Sequence, residues 1–247
     1  MNANTQAKIA LVTGASRGIG AAVAKRLARD GFTVVVNYAG SAQAAENVVR
    51  DIEAAGGQAI SAQGDVSKAA DVRRLFDTVD EVYGGMDVLV NNAGVMQLAS
   101  IAELTEEDYD RLFDINVKGS FNAMREAARR LRKGGRIVNF SSSVVGLLQP
   151  GYGAYAATKA AIEAATMVLA RELRGREITV NAIAPGPTAT DLFLNGKSDE
   201  LIDRLAKLSP LERLGTPEDI AAAVAFLVGS DGAWVNGQVL RANGGVI

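Results

Sequence analysis

The sequence predicts an α/β fold, a single-domain doubly wound parallel sheet of seven strands with helices on both faces. Three observations carry this. Seven short runs of strand-type residues alternate with longer segments of helical period, the pattern of parallel strands joined by crossover helices. A glycine turn, Gly14-Ala15-Ser16-Arg17-Gly18-Ile19-Gly20, stands directly between the first run and the first helical segment. No linker, repeat or low-complexity tract divides the 247 residues, a length that one large α/β domain accommodates.

Lys8 to Thr13 is the first strand, an Ile-Ala-Leu-Val run that enters the glycine turn, and Ala21 to Arg29 follows as a helix. Glycines at such a junction let backbone approach a pyrophosphate, while the free N–H groups and dipole of the helix start favour its negative charge. The spacing is GxxxGxG rather than GxGxxG, so its place after a strand carries the reading more than the pattern does. Phe32 to Tyr38 is the second strand. Its end, where an acid usually receives the ribose hydroxyls of NAD, holds Asn37 and Tyr38, with Ser41 next and Arg17 in the glycine turn. That combination would admit and attract a 2′-phosphate; an arginine pointing into solvent is the alternative. Ser41 to Ala55 has helical spacing stopped by Gly56-Gly57, and Gln58 to Gln63 gives the third strand, which ends at Asp65-Val66. Asp65 either faces an adenine or caps the next helix, Lys68 to Tyr83.

Met86 to Val90 is the fourth strand, closing in Asn91-Asn92-Ala93-Gly94; adjacent amides at a strand end more often satisfy loop backbone than bind a ligand. Thr105 to Leu131 is helical in two pieces, with Asn116-Val117-Lys118-Gly119 at the break, where a poor helix former signals a local hydrogen-bonding task. Arg136 to Phe140, the fifth strand, runs into Ser141-Ser142-Ser143. The helix containing Tyr155 then reaches about Arg174. Tyr155 and Lys159 share one of its faces, a turn apart. A nearby cation favours the phenolate, so it lowers the phenol pKa from about 10 toward the working pH. Tyr155 is thereby a proton donor and acceptor, with serine hydroxyls in reach of a carbonyl oxygen held near it. The many alanines of this helix suit close packing within the fold or across a subunit interface.

Ile178 to Ala184 is the sixth strand, ending in Pro185-Gly186-Pro187-Thr188-Ala189-Thr190. From Asp191 to Pro210 the chain is irregular to helical, so the stretch at about 189–210 reads as a lid or as an ordinary surface insertion. Thr216-Pro217-Glu218-Asp219 marks a helix start, with Thr216 as N-cap. Gln238 to Arg241 is the last strand, before Gly244-Gly245.

Composition narrows the function classes. Hydrophobic residues make up 48% and charged residues 22%, and no apolar run has the length to span a membrane. Met1 to Lys8 lacks the basic start and apolar core of a signal peptide, so the expected location is the cytoplasm. The chain has no Cys and no His, which removes disulfides, thiolate nucleophiles, imidazole bases and almost every zinc site. Proton chemistry falls to Tyr, Lys, Asp or Glu, and no metal is expected. A formal net charge of -2 argues against a nucleic-acid partner.

Taken in order, Thr13-Gly14-Ala15-Ser16-Arg17-Gly18-Ile19-Gly20, Asn91-Asn92-Ala93-Gly94, Asn116, Ser142, Tyr155-x-x-x-Lys159 and Pro185-Gly186 make the chain resemble the short-chain dehydrogenase/reductase family, over essentially its whole length. The resemblance implies a Rossmann-type fold and an NADP(H)-dependent oxidoreductase acting on a small ketone or alcohol. It implies Tyr155 as acid/base and Ser142 as the group that polarises the carbonyl, with Ser141 and Ser143 left to strand-end backbone bonds. Lys159 would hydrogen-bond the nicotinamide ribose and lower the Tyr155 pKa, and Asn116 would hold a water linking Lys159 to solvent. For the cofactor, it implies Gly14, Ser16, Arg17, Gly18 and Ile19 around the phosphates and Asn37, Tyr38 and Ser41 at the end of the second strand. Asp65 and Val66 would stand at the adenine, Asn92, Ala93 and Gly94 along the ribose, and Pro185, Gly186, Thr188 and Thr190 at the nicotinamide carboxamide. The family more often has an aliphatic residue where Thr188 stands.

Family members commonly pair through the helix before the fifth strand and the tyrosine helix, which implies a homotetramer. Within the family the chain looks most like the NADPH-dependent carbonyl reductases, including the 3-oxoacyl-carrier-protein reductases. An acyl carrier protein partner would need a basic surface near the site mouth. Arg125, Arg129, Arg130, Arg132 and Lys133, and Arg171, Arg174 and Arg176, are the candidates; a solvated helix face is the other reading. A regulatory protein that holds NADP(H) without turnover is a different class. It predicts a broken set of functional residues, whereas Asn116, Ser142, Tyr155 and Lys159 are all present.

Overall fold

The structure, a computed structural model, describes residues 7–247; the start of the stretch read for a signal peptide lies outside the described residues. Seven strands, β1 (Ile9–Val12), β2 (Thr33–Tyr38), β3 (Gln58–Gln63), β4 (Met86–Asn91), β5 (Leu131–Phe140), β6 (Thr179–Pro185) and β7 (Val239–Ala242), form one sheet in the order β3-β2-β1-β4-β5-β6-β7. Every neighbouring pair is parallel. The α-helices are α1 (Gly18–Arg29), α2 (Ala42–Ala54), α3 (Ala69–Tyr83), α4 (Glu106–Leu112), α5 (Ser120–Arg130), α6 (Val144–Leu147), α7 (Gly153–Glu172), α8 (Asp191–Leu194), α9 (Asp199–Ala206) and α10 (Pro217–Val228).

Alternation along the strands sorts side chains between two apolar layers. Ala10 and Val12 of β1 pack with α1, α2 and α10, whereas Ile9 and Leu11 pack with α3, α5 and α7. Because both faces are covered, the central strands read as unbroken apolar runs, as the sequence shows for β1 and β2. Strand order reverses between β1 and β4, and open α/β sheets take ligands in the crevice that this reversal opens at the carboxyl ends of the strands.

Three boundaries differ from expectation in informative ways. The helix after the glycine turn starts at Gly18, inside the turn, so its free N–H groups belong to the turn itself. The expected break at Asn116 is instead a π-helical turn, Phe113–Gly119, that keeps α4 and α5 continuous. Leu131 leaves that helix with extended backbone and begins β5 opposite Met86, ahead of the expected Arg136, because a bulge between Met86 and Val88 shifts the pairing register. The start of α10 is as read: Thr216 accepts from the Asp219 backbone, and the Asp219 carboxylate accepts from the Thr216 backbone, with Pro217 at the first position. The 189–210 stretch folds as α8 and α9, each started by a side-chain cap, Thr190 and Ser198.

Candidate active site

Tyr155 occupies the first turn of α7 and Lys159 the next; both are buried. The Lys159 Nζ stands 5.7 Å from the Tyr155 ring centroid and donates to the Phe140 carbonyl at 3.0 Å. The end of β5 delivers three serines to the same place, and their partners separate them. Ser141 Oγ donates to Glu163 at 2.6 Å, and Ser143 Oγ donates to the Ala184 carbonyl at 3.3 Å and accepts from Asn243 at 3.0 Å. Ser141 makes the expected strand-end backbone bond through its N–H, which donates to Ile183, and its hydroxyl goes to a carboxylate. Ser142 alone turns its hydroxyl toward Tyr155, held from behind by a long contact from the Val144 N–H at 3.4 Å.

Burial pushes the Tyr155 phenol up to about 12, against the Ser142 hydroxyl, which lowers it, and with Tyr152, which raises it. Burial also brings the Lys159 ammonium down to about 8. The net direction for Tyr155 is opposite to the one expected from its spacing with Lys159. Both groups lose hydration, and that loss outweighs what an ion 5.7 Å from the ring returns. The consequence is a phenol protonated near neutral pH, the form able to give a proton to a carbonyl oxygen.

Asn116, buried in the π-helical turn, accepts from the Val95 N–H at 2.8 Å and donates to the Val95 carbonyl at 2.9 Å and to Thr158 Oγ1 at 3.2 Å. Both amide hydrogens are spent on protein partners, while Oδ1, which accepts from Val95 alone, keeps a second lone pair for a donor. The side chain also binds three segments together.

The remaining expected residues line two connected clefts. Gly14, Ser16, Arg17, Gly18, Ile19, Asn37, Tyr38 and Ser41 all line the larger, of about 580 Å³, together with Asp65, Val66, Asn92, Ala93 and Gly94. That volume suits a ligand of cofactor or drug size. Pro185, Gly186, Thr188 and Thr190 line a smaller cleft of about 150 Å³ with Ser142, Tyr155 and Lys159. Ile19, Asn92, Gly94 and Thr190 border both, so the sequence-read site is one continuous space.

The larger cleft fits an extended polyanion. A Cβ on Gly20 would lie 2.5 Å from the Gly14 carbonyl oxygen and from Asn92 Nδ2, so only glycine lets α1 start this close to the turn. Gly14, at φ +62, likewise has no room for a side chain against Ala93. The exposed Arg17 guanidinium has no hydrogen-bond or salt-bridge partner among the described residues, and it stands beside the free N–H groups of α1.

Side chains in this cleft are more committed than their sequence positions suggest. Asn92 Nδ2 donates to the Thr13 and Gly14 carbonyls at 2.9 and 3.1 Å, the loop-bracing role read for strand-end amides. Thr13, which opens the glycine motif, accepts through Oγ1 from the Asn92 and Ala93 N–H groups at 3.0 Å each. Asn37 is buried: it accepts from the Gly14 N–H at 3.2 Å and donates to the Ala62 and Gly64 carbonyls at 3.2 and 3.0 Å. It is a strut between the glycine turn and β3 rather than an open slot for a phosphate. Asp65 accepts from both the Ser67 N–H and hydroxyl, at 3.0 and 2.7 Å, in the turn before α3; Lys68, not Asp65, holds the cap position. Thr188 turns its hydroxyl to the Gly186 carbonyl at 2.9 Å, and Thr190 caps α8.

The basic groups considered for carrier-protein docking are elsewhere. Arg171, Arg174 and Arg176 lie at and beyond the C-terminal end of α7, roughly 25 Å along the helix from Tyr155. Arg132 and Lys133 start β5, at the opposite end of that strand from Ser141. Arg129 and Arg130 pair with Glu126, Arg130 also with Asp77 and Asp80, Arg132 with Asp87 and Lys133 with Glu177. Arg176 donates to the Ala128 and Leu131 carbonyls. Arg129, Arg130, Arg132, Lys133 and Arg176 thereby brace the far end of the sheet.

The sequence places the pocket shape in the loops at 95–100, 144–153 and 189–210, and the wall of the smaller cleft, Met96, Leu147, Tyr152, Leu192, Phe193 and Leu208, comes from these three. Hydrophobic period says nothing about how such regions meet. Apart from Lys159, no side chain lining this cleft carries a charge.

Residues 14–247 match the family model described as Enoyl-(Acyl carrier protein) reductase. A short-chain type dehydrogenase/reductase of Picea abies is 46% identical, over 97% of this chain and 92% of that protein. The NADPH-dependent aldehyde reductase-like protein, chloroplastic, of Arabidopsis thaliana is 42% identical, over 97% of this chain and 94% of its own length. The crystal structure of a short chain dehydrogenase from Burkholderia cenocepacia J2315 in complex with NADP superposes with a TM-score of 0.92 at 43% identity, covering 98% of this chain and 99% of that one.

Proposed function

The chain belongs to the short-chain dehydrogenase/reductase family and is an NADP-dependent oxidoreductase, and from that premise we propose that it reduces the carbonyl of a neutral, apolar ketone or aldehyde. The observation that carries this reading is the buried Tyr155 phenol, set beside Ser142 in a cleft that is uncharged but for Lys159, walled in large part by apolar side chains, and continuous with the dinucleotide-sized one. Bound NADPH supplies the hydride. The Ser142 hydroxyl donates to the substrate oxygen and fixes its direction, and Tyr155 donates the proton that the oxygen takes up. The burial that raises the Tyr155 pKa keeps the phenol in the form that has a proton to give. Lys159 stands in reach of Tyr155 as the charge that compensates a developing phenolate. The backbone of Pro185, Gly186 and Thr188 would receive the nicotinamide end, and the 189–210 stretch would close over the substrate through Leu192, Phe193 and Leu208. Among the described residues no helix is long and apolar enough to cross a membrane; a cytoplasmic location is part of the same proposal.

The test is NADPH oxidation over a panel of apolar ketones and aldehydes, with a 3-oxoacyl thioester and charged 2-oxo acids beside them. Turnover of the apolar members is expected. NADPH binding without oxidation of any member would replace the enzyme by a regulatory binding protein, and turnover confined to the thioester would restore the carrier-protein reading.

Two further expectations arise here. Arg17 offers the larger cleft a planar set of donors suited to a 2′-phosphate. Loss of a charge-assisted hydrogen bond is worth about 1.5–3 kcal/mol, so Arg17→Ala should weaken NADPH by roughly ten- to a hundredfold and leave NADH nearly unaffected. Dissociation constants for both cofactors decide this, and equal losses would remove Arg17 from phosphate recognition. A homotetramer is also proposed: Phe121 on α5 and Met167 and Val168 on α7 leave large apolar area exposed on the helices that family members use for pairing. Sedimentation of an active monomer at assay concentration would refute it.

A further inference from the structure

Tyr155 must meet a substrate oxygen within hydrogen-bond reach, yet it sits in the first turn of a helix that begins without a side-chain cap. Tyr152 holds the cap position and makes no capping bond, and the preceding turn carries Leu148 and Gly151 at φ 49 and 83. A helix start with unsatisfied N–H groups frays, and capping is the usual remedy. Here the restraint comes from the side. The Thr158 hydroxyl, at 0% exposure, donates to the Tyr155 carbonyl at 2.7 Å and accepts from Asn116 Nδ2 at 3.2 Å. Asn116 is itself clamped by both ends of its amide to Val95, in the loop that follows β4. It stands in a π-helical turn, a deformation that recurs at functional sites and that needs a reason to persist.

The same construction recurs further along α7, on the same helix face. Thr166 donates to the Ile162 carbonyl at 2.7 Å and accepts from Asn139 Nδ2 at 2.9 Å; Asn139 accepts from Asn91 at 3.2 Å, and Asn91 donates to the Ser120 carbonyl at 3.0 Å. Two buried polar struts therefore join α7 to the π-helical turn and to α5. Only the Thr158 strut ends on the turn that carries Tyr155.

We propose that Thr158 is a positioning residue, whose hydroxyl couples the Asn116 turn to the first turn of α7 and so fixes where the Tyr155 phenol stands. It acts through Asn116 and the Tyr155 backbone and lines neither cleft. A buried hydroxyl that serves as donor and acceptor at once cannot be replaced by a methyl group without leaving Asn116 Nδ2 short of a partner. Loss of the strut frees the uncapped turn, and small misplacements of a reacting group are costly in rate.

The inference rests on the reductase reading, so wild-type turnover on the carbonyl panel is established first; its absence overturns that reading and leaves Thr158 without a reaction to serve. Thr158→Val, Thr158→Ser and, as a control on the second strut, Thr166→Val are then compared for kcat, KM, NADPH dissociation constant and melting temperature. Thr158→Val is expected to lower kcat about tenfold with NADPH affinity unchanged. Thr158→Ser should restore most of the rate, and Thr166→Val should lower the melting temperature without the matching loss in kcat. Should Thr158→Val not be recovered folded, Thr158→Ala takes its place. A wild-type kcat in the folded Val or Ala variant overturns the proposal. So does equal impairment of the Ser variant, or an equal loss of kcat in Thr166→Val.

Discussion

Tyr155→Phe is expected to remove nearly all carbonyl reduction while NADPH still binds. The phenylalanine ring keeps the packing of a side chain that is 9% exposed in the wild type, so the fold and both clefts should survive. What is lost is the proton. The other groups of the smaller cleft are less well placed to replace it: Ser142 is a far weaker acid, Tyr152 stands outside the Ser142–Tyr155 pair, and Lys159 is anchored through one N–H on the Phe140 carbonyl. General acid–base catalysis contributes about 10²–10⁴-fold, and a loss in that range is expected in kcat. Steady-state rates beside NADPH binding, by fluorescence or calorimetry, decide the matter. Wild-type turnover in the mutant would remove Tyr155 from the mechanism. A parallel loss of NADPH affinity would mean that the phenol braces the cofactor rather than the reaction.

The second large effect is on stability. From the sequence, an acid at the end of β2 would be expected to turn NADPH preference toward NADH, which makes Asn37→Asp the obvious substitution. The structure gives it a different outcome. Asn37 Nδ2 donates to the Ala62 and Gly64 carbonyls from a site 1% exposed, so aspartate there would set a buried carboxylate against two carbonyl oxygens. Its bond from the Gly14 N–H would strengthen, but a single backbone donor does not offset an otherwise unpaired buried charge. A loss of about 3 kcal/mol or more follows, which in a chain of this size is a fall in melting temperature of about 6–12 °C. Thermal unfolding with and without each cofactor tests this. A stable variant that gains NADH affinity would show that Asn37 faces the ribose after all. Tyr38 and Ser41, which also line the larger cleft, are better places to probe that preference.

The order of strands and helices, the glycine turn, the Tyr155–Lys159 face and the helix start at Thr216 were all legible in the sequence because each is local. Period, turn chemistry and i, i+4 spacing act over a few residues, and the parallel sheet follows from their alternation. Single-residue exclusions were equally direct: without His or Cys, the proton donor had to be a phenol, an ammonium or a carboxyl group. Resemblance singled out Ser142, but only the tertiary structure gives the physical reason: Glu163, Ala184 and Asn243 claim the hydroxyls of the other two serines from distant parts of the chain. It also set burial against the lysine's pull on the Tyr155 phenol and gave Asn37 and Asn116 bracing bonds between segments. It moved the basic groups away from the site mouth as well. Hydration loss, amide saturation and the distance between charges depend on what packs around a residue, and that is set by contacts between segments whose separation in the sequence carries no record of their meeting.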